Sequence, residues 1–73
     1  MITKADAMTL RTGQILHHIT VKNAQGTPLR ARVNGKCQTW VTRPDEFRLP
    51  MKHGLRDTFQ ITTMNCHEWV KPN

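Results

Sequence analysis

From Gln14 to Thr62 apolar and polar residues alternate in short runs, and each run is cut by Gly, Pro or Asn before it reaches helical length. Strand side chains point to opposite faces with a period of two, so this pattern reads as several short strands. In the first run Ile15, His17, Ile19 and Val21 fall on one side, and Leu16, His18, Thr20 and Lys22 on the other. The first set is the more apolar, which points it at the core, with His17 inward and His18 outward. Asn23-Ala24-Gln25-Gly26 supplies a tight turn, after which Leu29, Ala31 and Val33 face inward and Arg30 and Arg32 outward.

Asn34-Gly35 is the strongest local signal, since both residues tolerate the left-handed conformations of a two-residue hairpin turn. A third strand over about residues 36 to 42 then returns along the second. With two residues in the loop, Leu29 opposes Trp40 and the indole is buried. With three and a bulge at Gly35, Pro28 opposes Trp40 and the indole joins the face of the two arginines. A small core has few large side chains to draw on, which favours the buried register.

Pro44-Asp45 breaks the third strand, and Glu46-Phe47-Arg48-Leu49 reads as a short strand with Phe47 and Leu49 inward and Arg48 outward. Pro50 cannot donate to a ladder, which marks an edge or a strand end. His53-Gly54 turns the chain into a last run, 55 to 62, with Leu55, Phe59 and Ile61 inward. Asp57 shares that face, so it belongs near a strand end or beside a partner. At the start, Thr3 with Asp6 forms a capping box ahead of a helix over about residues 4 to 12, ended by Gly13. At the other end Asn65 with Glu68 caps a terminal helical turn that brings Trp69 and Val70 onto the body.

These elements define a mainly β fold: a small curved antiparallel sheet, or partly open SH3-like or OB-like barrel, of about five strands. A short N-terminal helix and a C-terminal helical turn complete it. A single-layer sheet covered by the helix is the alternative arrangement. The 73 residues form one domain, with a thin core, because a chain this short buries only about 60% of its surface.

Eleven Lys and Arg against five Asp and Glu give a net charge of +6. Lys22, Arg30, Arg32, Lys36, Arg43, Arg48, Lys52 and Arg56 lie in the middle of the chain, opposed there only by Asp45 and Glu46, so the excess is localised. The opening Met1-Ile2-Thr3-Lys4-Ala5-Asp6 carries no secretory signal and no run reaches membrane-spanning length, so the expectation is an intracellular, cytoplasmic protein with no membrane partner. Cys37 and Cys66 are too few for a disulfide framework and are expected to remain thiols.

Gly26-Thr27-Pro28-Leu29-Arg30 and Val33-Asn34-Gly35-Lys36-Cys37, leading to Thr39-Trp40 and Arg43-Pro44, resemble small uncharacterised proteins of tailed bacteriophages. The resemblance covers residues 26 to 55 and consists of structural turns. It implies a viral or mobile-element origin, in the cytoplasm of a host cell, and no activity.

Candidate chemistry is sparse. The Cys and His residues show no C-x-x-C or H-x-x-x-H pair, so neither a metal site nor a cofactor is expected. No Gly-rich phosphate loop, nucleophile elbow or convergent carboxylate pair is present, which argues against an enzyme. The basic centre points to a non-enzymatic module that binds DNA or RNA through phosphate contacts with little sequence specificity, using Arg30, Arg32, Lys36, Arg48, Lys22 and Arg43. The alternative is a phage-type protein that binds or inhibits a larger host or viral protein through an acidic surface, helped by a sheet edge near Pro50.

Overall fold

The structure, a computed structural model, describes residues 1–72. Thr3 caps a helix, α1 (Lys4–Thr9): its Oγ1 accepts from the Asp6 amide at 3.1 Å while the Asp6 carboxylate accepts from the Thr3 amide at 3.0 Å. Two otherwise unpaired N–H groups are thereby satisfied. The helix is shorter than the 4–12 expected, because Leu10 is already extended and packs against the core. Gly13 instead donates to the Val33 carbonyl at 2.8 Å and so begins the sheet.

The strands that follow are β1 (Ile15–Lys22), β2 (Pro28–Val33), β3 (Gln38–Trp40), β4 (Arg43–His53), β5 (Asp57–Thr62) and, after a 3-10 turn at Cys66–Glu68, β6 (Trp69–Val70). Among the described residues they make one six-stranded antiparallel sheet, one strand more than the pattern predicted. The path runs β3-β4-β2-β1-β6, with β5 on the other side of β4. The sheet curls without closing. Phe59 of β5 stacks on Trp69 of β6 at 5.4 Å, which brings the two ends of the curl together. A 3-10 turn and a last strand pairing with the first complete this small, non-closed antiparallel sheet.

Opposed residues on neighbouring strands share a face. Leu16 opposes the buried Ala31, whereas Ile15 and His17 oppose the exposed Arg32 and Arg30. The inward set of β1 is therefore Leu16 and His18, the reverse of the expected assignment; Ile19 and Val21 are exposed. Apolar count misled here because β1 leaves the body after His18. Four residues, 18–21, then stand against Leu29 alone, and residues 19–28 form an exposed arm.

Asn34-Gly35 makes no hairpin. β2 and β3 run on in one direction along the same side of β4, and the reversal comes at Val41-Thr42, between Trp40 and Arg43. Val33 opposes Met51 and Gln38 opposes Arg48, so Asn34–Cys37 form a bulge facing Leu49 and Pro50. β4 in turn passes through both prolines instead of ending at them. The Pro50 carbonyl accepts from the Asn34 amide at 2.8 Å, and a strand residue directs its N–H and C=O to the same side. The missing N–H of Pro50 thus falls opposite the bulge, where no ladder needs it. Pro44 lies in a second bulge, between the Trp40–Arg43 and Thr39–Phe47 pairs. Pro50 is consequently central, with β5 on its other side, and the sheet edge expected there does not exist.

The core combines Leu16, Val33, Phe47, Leu49, Met51 and Ile61 with Ile2, which is fully buried and donates to the Cys66 carbonyl at 3.0 Å. Leu55, expected inward, lies exposed in the β4–β5 turn, and Asp57 is the exposed first residue of β5. Asn65 does not cap the final turn with its side chain. Its amide accepts from Thr62 N at 2.7 Å and donates to Gln60 O at 3.1 Å, covering part of the free edge of β5. Among the described residues no helix is long and apolar enough to cross a membrane.

Candidate nucleic-acid interface

Alternation along β2 and β4 sorts their residues onto two faces. Ala31, Val33, Phe47, Leu49 and Met51 go to the core, so Arg30, Arg32, Arg48, Pro50 and Lys52 fall on the outer face. Arg32 opposes Lys52 directly across the β2–β4 ladder, and Arg30 lies two residues further along β2. Two like charges directly opposed weaken a sheet. None of Arg30, Arg32, Arg48 and Lys52 is paired with a carboxylate among the described residues, where the ion pairs are Arg43–Glu46 at 2.9 Å, Lys71–Asp6 at 3.1 Å and His18–Glu68 at 3.5 Å.

A shallow groove of about 510 Å³ runs beside these residues, lined by Arg30, Arg32, Lys52, His53 and Leu55. His53 Nδ1 lies 2.9 Å from the Arg30 carbonyl, tying the β4 end to β2. Midway along β4 the Arg48 guanidinium lies over the Trp40 ring, 5.4 Å from its centroid. Trp40 is half-buried and outside the core cluster, so the expected burial beside Leu29 is wrong. Neither register considered for the sequence applies, since both assumed that β3 pairs with β2.

Of the six cations singled out in the sequence, Arg30, Arg32 and Arg48 share this face. Lys22 is on the exposed arm opposite Pro28, and Lys36 is in the bulge, where it lines a separate cleft with α1. Arg43 is neutralised by Glu46. Lys52 and Pro50 were missed as members, and Trp40 was set on this face only by the register not favoured. The signal for Lys52 was its even spacing from Arg48, hidden by ending the strand at Pro50.

The cysteines do other work. Cys37 and Cys66 are separate half-buried thiols, 3.8 and 3.7 Å from the carbonyls of Gln38 and Thr63. Burial pushes the Cys37 thiol up from its ordinary value, which keeps it protonated at neutral pH and poorly nucleophilic. Among the described residues no three His, Cys, Asp or Glu side chains gather around a shared metal position.

No family model, curated protein or solved structure matches this chain. Fold alone carries no activity, so a functional reading stands on the chemistry of the outer face.

Proposed function

We propose that this domain is a non-enzymatic nucleic-acid-binding module that grips phosphates with its outer sheet face and reads little sequence. The observation that carries the reading is the directly opposed Arg32–Lys52 pair, with Arg30 on the same face and no carboxylate partner among the described residues. Such a pair costs stability in the free protein, and an anion bound between the two side chains converts the repulsion into attraction. Guanidinium groups donate in a fork that matches phosphate oxygens, and phosphates carry no base identity. Rows of cations along two strands suit a ligand with repeated negative charge better than a single small anion.

Fluorescence anisotropy of labelled oligonucleotides, titrated with protein at several salt concentrations, tests the proposal. If Arg30, Arg32, Arg48 and Lys52 each neutralise one phosphate, log affinity falls against log salt with a slope of about −3.6 on a duplex or about −2.8 on a single strand. Replacing Arg30→Ala and Arg32→Ala together flattens the duplex slope by about 1.8 and leaves the fold intact, because both side chains are exposed. Absence of binding to either form at tens of micromolar protein and low salt overturns the proposal.

A further inference from the structure

Resting on the reading just given, we infer that the ligand is single-stranded nucleic acid and that Trp40 is the platform on which one of its bases stacks. Of the two tryptophans in the chain, Trp69 is 5% exposed and belongs to the core, while Trp40 is half-buried beside Arg48. A partly exposed indole outside the core, next to a row of unpaired cations, is the combination that binds single strands: cations follow the backbone, and an aromatic face accepts any base.

The dimensions fit a strand lying along the sheet. Arg48 and Lys52 are four residues apart on β4, about 13 Å, and Arg32 stands directly across from Lys52. Arg30 continues the row about 7 Å further along β2. Between Arg48 and Lys52 the half-buried Pro50 ring, on the same face, adds an apolar surface for a sugar or base edge. Trp40 terminates this track of about 20 Å.

The Arg48 guanidinium over the indole keeps the platform covered in the free protein. A surface cation–π contact is weaker than a base stacked on an aromatic ring. A base therefore displaces the guanidinium, which turns to the adjacent phosphate, so one exchange creates both a stack and a charged contact. Bases paired inside a duplex keep their faces stacked on one another and have none to offer Trp40.

The test compares oligothymidylate and oligouridylate of about 15 nucleotides with a duplex of the same length, using the unmodified protein and its Trp40→Ala and Trp40→Phe variants. The single strands should quench tryptophan emission, and the quench should vanish in both variants, since Trp69 is buried. Trp40→Ala should weaken single-strand binding roughly ten-fold and change duplex binding less than about two-fold, with Trp40→Phe restoring most of the loss. Tighter binding of one of the two homopolymers identifies the sugar that the site prefers and supports the inference equally. Equal binding of single strand and duplex, with no quench and no effect of Trp40→Ala, overturns the stacking role and leaves the phosphate-binding proposal standing. No binding of any of the three overturns both. The quench is read on the unmodified protein, so the outcome does not depend on Trp40→Ala folding.

Discussion

Asp6 joins the two ends of the chain. The backbone N–H of Thr3 and then the Lys71 ammonium, 3.1 Å away, hold its carboxyl at about 2, below the ordinary 3.8. A carboxylate favoured in the folded state stabilises fully above its unfolded value, and that contribution is lost as pH falls through the folded one. Replacing Asp6→Ala should therefore cost on the order of 1 kcal/mol at neutral pH. The stability gap between parent and variant should narrow below about pH 4 and close only once the pH has fallen below about 2. Urea unfolding at several pH values measures it, and a gap independent of pH would show that Asp6 acts by helix propensity alone. This cap was legible in the sequence because Thr3 and Asp6 are three residues apart; the Lys71 contact, across 65 residues, was not. His18 was misread for a related reason. Its Nδ1 accepts from the amides of Thr20 at 3.2 Å and Val21 at 3.0 Å, and its ring meets Trp69 edge-on at 5.0 Å. With Nδ1 accepting, the proton of the neutral ring belongs on Nε2, facing Glu68. A histidine that fastens a bulge breaks the alternation used to place it.

Bulges explain most of what the sequence pattern concealed at the level of elements. Fold class, the turn at Asn23–Gly26, the inward set of β2 and the inward Phe47 and Leu49 all follow from local alternation and were readable. Partner choice was not. A chain containing Asn-Gly between two apolar runs gives no local sign that it continues along a third strand, and Pro50 hides its compatibility with β4 until the Asn34 bulge is known. The same two misreadings hid Lys52 from the candidate site and sent Trp40 to the core. Gly35 and Pro50 form one device: a Cβ at Gly35 would approach Pro50 Cγ to 3.3 Å, at a φ of +147° that disfavours other residues. Gly35→Ala is expected to cost about 1–3 kcal/mol. Pro50→Ala removes the ring atom in the way, so the double variant should lose less than the sum of the single losses. Chemical denaturation of the four proteins completes that cycle. Strict additivity would mean that φ at Gly35, and not the contact with Pro50, sets the cost.

For the whole molecule, the curl assigns separate work to its two surfaces, and the two tryptophans mark them. The outer face carries unpaired cations and Trp40, and the inner face holds a core small enough that single residues decide whether it persists. A domain of this length has about 4–11 kcal/mol of stability in total. Trp69 lies where the curl comes together: it pairs with His18 of β1 through β6, stacks on Phe59 of β5 at an interplanar angle of 27°, and is 5% exposed. Truncating a buried Trp costs about 3–5 kcal/mol, a large share of that total. Trp69→Ala should therefore leave a protein that is partly unfolded at 25 °C, with the β1 and β5 amides losing hydrogen-exchange protection together because the indole is what couples them. Trp40→Ala, by contrast, should unfold within about 1 kcal/mol of the parent, since Trp40 lies outside the core cluster and stacks with Arg48. Urea titration followed by circular dichroism, which does not depend on the tryptophan removed, separates the two. If Trp69→Ala keeps the parent midpoint while Trp40→Ala collapses, the roles assigned to the two surfaces are reversed, and the stacking platform on the outer face is lost with them.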